Sequence, residues 1–129
     1  KVLQFGFVNP KDPFLPHNYP IHCVAYTGTH DNDTARGWFE TAPEHERKFA
    51  LRYLNTDGSD FAWDLIRAVW SSVAVYAIAP MQDMLSLGTE ARMNFPSRLG
   101  GNWGWRMKEE DMADALAARL HEFNELYLR

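Results

Sequence analysis

Three short runs of nearly continuous apolar residues limit what this chain can fold into: Val2–Phe7, Cys23–Thr27 and Val73–Ala79. Each is too short for a core helix and is rich in β-branched or aromatic residues, which predicts a buried strand. Helical patterns lie between the second and third runs and after the third. Apolar strands divided by helices predict a parallel sheet with helices covering it, because a sheet with one wet face would alternate apolar and polar residues. Three strands cannot close a barrel or shield their own edges. A complete (β/α) barrel takes ~250 residues, and this chain has 129. It opens on Lys1 and enters a strand-like run at once, so we expect a piece of a longer protein.

The connecting segments carry their own signals. Val8–Pro20 holds Pro10, Pro13, Pro16 and Pro20, which remove N–H donors and predict an extended loop. Thr29–Thr34 is a cluster of turn and cap residues directly after the second strand, and Asp33 or Thr34 is expected to cap a helix through Glu40. Thr41-Ala42-Pro43-Glu44 reads as a capping box for a helix to about Leu54, stopped by Asn55-Thr56-Asp57-Gly58. Ser59 or Asp60 caps Phe61–Trp70. A second long loop is expected over Met81–Met107. A last helix, about Asp111–Tyr127, carries the stripe Met112, Leu116, Leu120, Phe123 and Tyr127.

Composition removes several classes of function. The net charge is −4 and no run of Lys or Arg exists, so nucleic acid is disfavoured as a partner. The longest apolar run, Val73–Ala79, is far short of the ~20 residues a membrane helix needs. The one cysteine, Cys23, permits neither an internal disulfide nor a cysteine-rich zinc site, and it fits a reducing compartment.

The polar string His30-Asp31-Asn32-Asp33 follows a buried strand, and in parallel α/β folds the carboxyl ends of strands carry the chemistry. Asp31 stands three residues past Gly28 and is better placed for it than Asp33, which reads as a helix cap. A calcium loop fails, because the glycine and glutamate such a loop needs are Arg36 and Ala42. His30-Asp31 also fits a metal-dependent phosphohydrolase, but His17, His22, His45 and His121 lack ligand spacing, so no metal site is expected. Arg92, Asn94, Asn102, Trp103 and Trp105 are groups suited to sugars, although a tryptophan in a glycine-rich loop more often packs onto the fold.

Taken together, five ordered stretches resemble the amylomaltases, the 4-α-glucanotransferase or disproportionating-enzyme family. They are Lys1-Val2-Leu3-Gln4-Phe5, Pro13-Phe14-Leu15-Pro16-His17-Asn18-Tyr19, Thr29-His30-Asp31-Asn32-Asp33-Thr34 with Gly37-Trp38, Ala79-Pro80-Met81-Gln82-Asp83, and Glu90-Ala91-Arg92-Met93-Asn94 leading to Gly101-Asn102-Trp103. The resemblance covers nearly the whole chain. It implies an α/β fold, the C-terminal portion of a (β/α)8 TIM barrel of the α-amylase type. About three parallel strands with covering helices would fall in residues 1–129.

The resemblance further implies an enzyme that cuts an α-1,4-glucosidic bond, holds the donor covalently and passes it to another malto-oligosaccharide, without an organic cofactor. Asp31 matches the third catalytic carboxylate, which holds hydroxyls of the distorted sugar. His30 matches a hydroxyl-binding partner, Asn94 a sugar-binding residue after the last strand, and Phe5 a residue facing a sugar subsite. In a retaining enzyme two carboxyls stand about 5–5.5 Å apart across the bond, and in this family both lie upstream of Lys1. The implied partners are an α-glucan substrate and the remaining N-terminal part of the barrel; the implied location is the cytoplasm, or a plastid in a plant. Ser97 follows Pro96 where the family pattern has Gly. Two alternatives stand beside it: a non-catalytic carbohydrate-binding module, which would account for the aromatics and the absent nucleophile, and a metal-dependent phosphohydrolase, which would account for His30-Asp31.

Overall fold

A computed structural model describes residues 1–129. Its sheet is parallel, as the apolar runs predict, but smaller. Strand β1 is Val24–Tyr26 and strand β2 is Tyr76–Ile78, paired in parallel with Val24 opposite Tyr76 and Tyr26 opposite Ile78. The first apolar run is not a strand. Val2 makes a single parallel bridge to Tyr26, and Leu3–Phe5 then tightens into a 3-10 turn. That turn buries Leu3 and Gln4 and leaves Phe5 exposed, a split that a run of apolar letters does not reveal. The Lys1 backbone completes the row, its nitrogen donating to the Val24 carbonyl and its carbonyl accepting the Tyr26 N–H.

Nor are the strands buried on both faces. Ala25 is fully buried, whereas Tyr76 and Ile78 of β2 are exposed at 64% and 45%. Only Ala77, between them, packs against the core.

The helices build that core. Helix α1 is Ala35–Thr41, α2 is Glu44–Leu54 and α3 is Phe61–Trp70. Helix α3 buries Phe61, Ala62, Trp63, Leu65, Ile66, Val69 and Trp70, so it is apolar on nearly every side and lies centrally. Each large side chain it removes from water contributes ~1.5–3 kcal/mol. Stacked rings tie α1 to it, Trp38 on Phe61 at 5.6 Å and Phe39 on Phe61 at 4.3 Å, and Phe7 packs against Trp38 at 5.3 Å with its ring tilted.

The expected caps are only partly right. Thr34 caps α1, its Oγ1 accepting the Gly37 N–H at 3.0 Å. The capping box at the start of α2 does not form; Pro43 precedes the helix and Thr41 instead donates back to the Gly37 carbonyl. Asn55 ends α2 in the left-handed conformation. Asp60 precedes α3 without capping it, because its carboxylate is held by Arg119 at 2.6 Å.

The region expected as one loop after β2 is partly ordered as helix α4, Met81–Met84, and a 3-10 turn at Thr89–Ala91. The last helix, α5, is Asp114–Tyr127. Leu116, Leu120, Phe123 and Tyr127 pack inward, while Met112 falls in a separate turn and is exposed. Phe123 meets Trp63 edge-on at 5.2 Å, and Arg129 donates to the carbonyls of Trp70, Ser72 and Ala74. These bonds pin the turn that leads into β2. No helix is long and apolar enough to cross a membrane.

Candidate functional site

Two loops meet at the carboxyl end of the small sheet. One follows β1 and carries residues 28–34; the other follows α4 and carries residues 88–103. The Asn94 N–H donates to the His30 carbonyl at 3.1 Å, and Arg92 donates to the Asp31 carbonyl at 2.6 Å. Through these bonds three of the residues singled out in the sequence come together. The Asn94 amide donates to Asp31 Oδ1 at 2.7 Å, and His30 Nε2 lies 3.4 Å from the same oxygen. Asp31 Oδ2 accepts no hydrogen bond within the protein. The carboxylate is thus aimed by one neighbour and open on its other side.

Phe5 stands further off. It lines a cavity of about 610 Å³ together with Gln4, Asp31 and Arg92, and its ring meets Phe14 edge-on at 5.7 Å. It therefore lines the same cleft as Asp31. A second, narrower cavity of about 230 Å³ lies behind His30 and is walled by Asp33, Gln82, Asp83 and Trp103. Trp103 does not pack down onto the fold. It is half exposed at the rim, with its ring 5.1 Å from the His30 ring.

Behind the rim sits a second set of polar groups in which every carboxylate oxygen has a partner within the protein. Asp33 Oδ1 accepts the Thr34 N–H at 2.8 Å and Oδ2 accepts the Thr89 hydroxyl at 2.8 Å. Asp33 is therefore a tie between loops, and the cap is its neighbour Thr34. Asp83 is almost fully buried; it accepts the Thr27 hydroxyl at 2.6 Å and the Ala35 N–H at 2.7 Å. Burial raises its carboxyl above the ordinary range, against the two hydrogen bonds, which lower it. Asp83 escaped sequence reasoning as a site-builder, although the string Ala79–Asp83 had drawn attention to it. Its role rests on partners distant in sequence, at Thr27 and Ala35.

The Gly position predicted after Pro96 is informative. Ser97 takes φ +66° there, a left-handed conformation that glycine adopts without steric penalty. The motif Pro13–Tyr19 is structural by contrast: Leu15 and Tyr19 are buried, and His17 Nδ1 meets the Tyr53 hydroxyl at 2.9 Å. No group of three or more His, Cys, Asp or Glu side chains stands together to hold a metal ion.

A family model described as 4-alpha-glucanotransferase matches residues 1–113. The chain belongs to the 4-α-glucanotransferase family. It is 48% identical to the 4-α-glucanotransferase of Clostridium butyricum, over 100% of this chain and 27% of that protein. It is 48% identical to the Thermus thermophilus enzyme, over 97% of this chain and 27% of the relative. The chloroplastic/amyloplastic enzyme of Arabidopsis thaliana is 47% identical, over 99% of this chain and 23% of its own. Among solved structures, the amylomaltase from Streptococcus agalactiae in complex with acarbose superposes with a TM-score of 0.92 at 36% identity, covering 100% of this chain and 27% of that one. The chain spans about a quarter of the length of these relatives. As a glucanotransferase segment, it has curated relatives in both bacteria and plant plastids.

Proposed function

We propose that residues 1–129 form the C-terminal part of the (β/α)8 catalytic barrel of a 4-α-glucanotransferase, and that Asp31 is one of its three catalytic carboxylates. The observation that carries this reading is the geometry of Asp31: an exposed carboxylate at the carboxyl end of a parallel strand, fixed through Oδ1 by Asn94 and open at Oδ2. The small parallel sheet, the exposed face of β2 and the quarter-length coverage support the barrel assignment.

In this reading the substrate is a malto-oligosaccharide or longer α-1,4-glucan. Oδ2 of Asp31 accepts from the hydroxyls of the glucosyl unit undergoing transfer. A charged acceptor binds hydroxyls about twice as strongly as a neutral one, and contacts that strengthen as the ring flattens toward the oxocarbenium ion raise kcat. His30 donates to a neighbouring hydroxyl. Asn94 holds Asp31 through its side-chain nitrogen and keeps its Oδ1 unpaired within the protein, while Phe5 offers an apolar face in the same cleft. The nucleophile and the acid/base come from the preceding part of the barrel. Asp33 replaces neither one: it lies two residues from Asp31 in the same short turn, and each of its oxygens already accepts a hydrogen bond within the protein.

The experiment is disproportionation of maltotriose, followed as glucose and longer oligomers, by the full-length enzyme and by this chain alone. The full-length enzyme should turn over and the isolated chain should not. Turnover by the chain alone, abolished by Asp31→Asn, would show that the missing carboxylates are not needed and overturn the reading.

A further inference from the structure

We propose that Arg92 is a positioning residue for Asp31: one guanidinium fixes both ends of the Asp31–Asn94 pair and so sets the direction of the catalytic carboxylate. Its Nη2 donates to the Asp31 carbonyl at 2.6 Å and its Nε to the Asn94 carbonyl at 2.9 Å. Neither carbonyl accepts a backbone N–H, so Arg92 is what holds the oxygen side of both peptides, while their N–H groups donate to the Thr29 carbonyl and to Asn102 Oδ1. The guanidinium carbon lies over the Phe95 ring, 4.6 Å from its centroid, a contact that helps to hold the side chain in place. The two residues whose peptides it holds are the two whose side chains meet at 2.7 Å.

Only arginine suits the position. The planar fork supplies two N–H groups at a fixed angle and stacks on an aromatic face; a lysine ammonium keeps the charge but does neither. Rotation of either peptide would swing Asp31 away from the sugar, and a displacement of about 1 Å costs on the order of 10²-fold in rate.

This inference rests on the reading of Asp31 above, and the test separates the two. In the full-length enzyme, Arg92→Lys, Asp31→Asn and the double variant are compared on maltotriose, with activity referred to folded enzyme by near-ultraviolet circular dichroism. Arg92→Lys should lower kcat about tenfold to hundredfold with KM little changed. In the Asp31→Asn background it should cost nothing further, since a residue acting through Asp31 has no effect once that carboxylate is gone. A full additional loss in the double variant overturns the proposal, as does a raised KM at unchanged kcat, which marks a substrate contact. Loss of melting temperature with normal kcat per folded molecule overturns it as well. Should Arg92→Lys fail to fold, Arg92→Gln, which keeps one donor, is judged by the same rule. If Asp31→Asn itself is fully active, the site reading fails and takes this proposal with it; if Asp31→Asn is inactive and Arg92→Lys normal, only this proposal fails.

Discussion

The rim and the layer behind it use the same chemistry to opposite ends. At the rim, Asp31 has one oxygen bonded to Asn94 and one open to the cleft. Behind it, Asp33 and Asp83 each have both oxygens engaged, by Thr34 and Thr89 in one case and by Ala35 and Thr27 in the other. A carboxylate is available to a substrate only where the protein leaves an acceptor unfilled. Where it is filled, it joins segments far apart in sequence and carries the rim on a rigid base.

The largest expected effect tests the open member. Asp31→Asn in the full-length enzyme should lower kcat by ~10²–10³, in line with the loss of one transition-state acceptor or donor in other sites, while binding of maltotriose persists. The change keeps shape and removes charge. Steady-state kinetics and a direct binding titration check it; loss of binding in step with kcat would place Asp31 in ground-state recognition instead.

Asn94→Asp sharpens the comparison by altering only the anchor. It sets a second carboxylate 2.7 Å from Asp31 Oδ1 in place of a donor. The lost donor and the repulsion between like charges free the Asp31 carboxylate to turn away from the cleft, so kcat should fall about tenfold or more. An unchanged kcat in steady-state kinetics would show that the Asn94 bond does not set the direction of Asp31.

How much of this division was legible in the sequence depends on distance along the chain. The string Thr29–Thr34 announced a functional loop because its members are adjacent, and the helix end at Asn55 follows from local rules. The parallel sheet followed from apolar runs. What failed was whatever long-range contacts decide. Val2–Phe7 has strand letters, yet it turns after Val2 so that Leu3 and Phe7 reach the core. Asp33 looks like a cap by position but is drawn to Thr89, leaving Thr34 to cap. Trp103 was expected inside and stands beside His30 at the rim. Ser97 is the converse case: the family pattern's glycine was a local requirement, and the structure shows the positive φ behind it.

The buried member is tested through stability. Asp83→Ala leaves the Ala35 N–H and the Thr27 hydroxyl without acceptors, at ~1–3 kcal/mol for each buried group left unpaired. The pH dependence has a definite sign. Burial holds the folded Asp83 carboxyl above its ordinary value, so above pH ~3.9 the folded state binds more protons than the unfolded one. The stability from this group is then greatest below the unfolded pKa and is lost as pH rises through the folded one. Asp83→Asn cannot titrate. Melts of wild type and Asp83→Asn at pH 4 and pH 7 should show wild type losing ground to the variant at the higher pH; a gain would reverse the assigned shift.

The smallest effect is expected at Asp33, and it is the most discriminating, because Asp33 lies only two residues from Asp31. Asp33→Asn retains an oxygen for the Thr34 N–H, and Thr34 still caps α1 through its own hydroxyl. What is lost is the charged acceptor for Thr89, whose hydroxyl then meets the amide; a neutral hydrogen bond in its place contributes about 1 kcal/mol less. Kinetics on maltotriose should be near normal and the melting temperature slightly lower. Thr89→Val should reproduce the stability loss, and in the double variant the two losses should not add, since they break one bond. If Asp33→Asn instead lowers kcat as far as Asp31→Asn, occupancy of its oxygens within the protein does not keep a carboxylate out of the chemistry, and the contrast between rim and base fails.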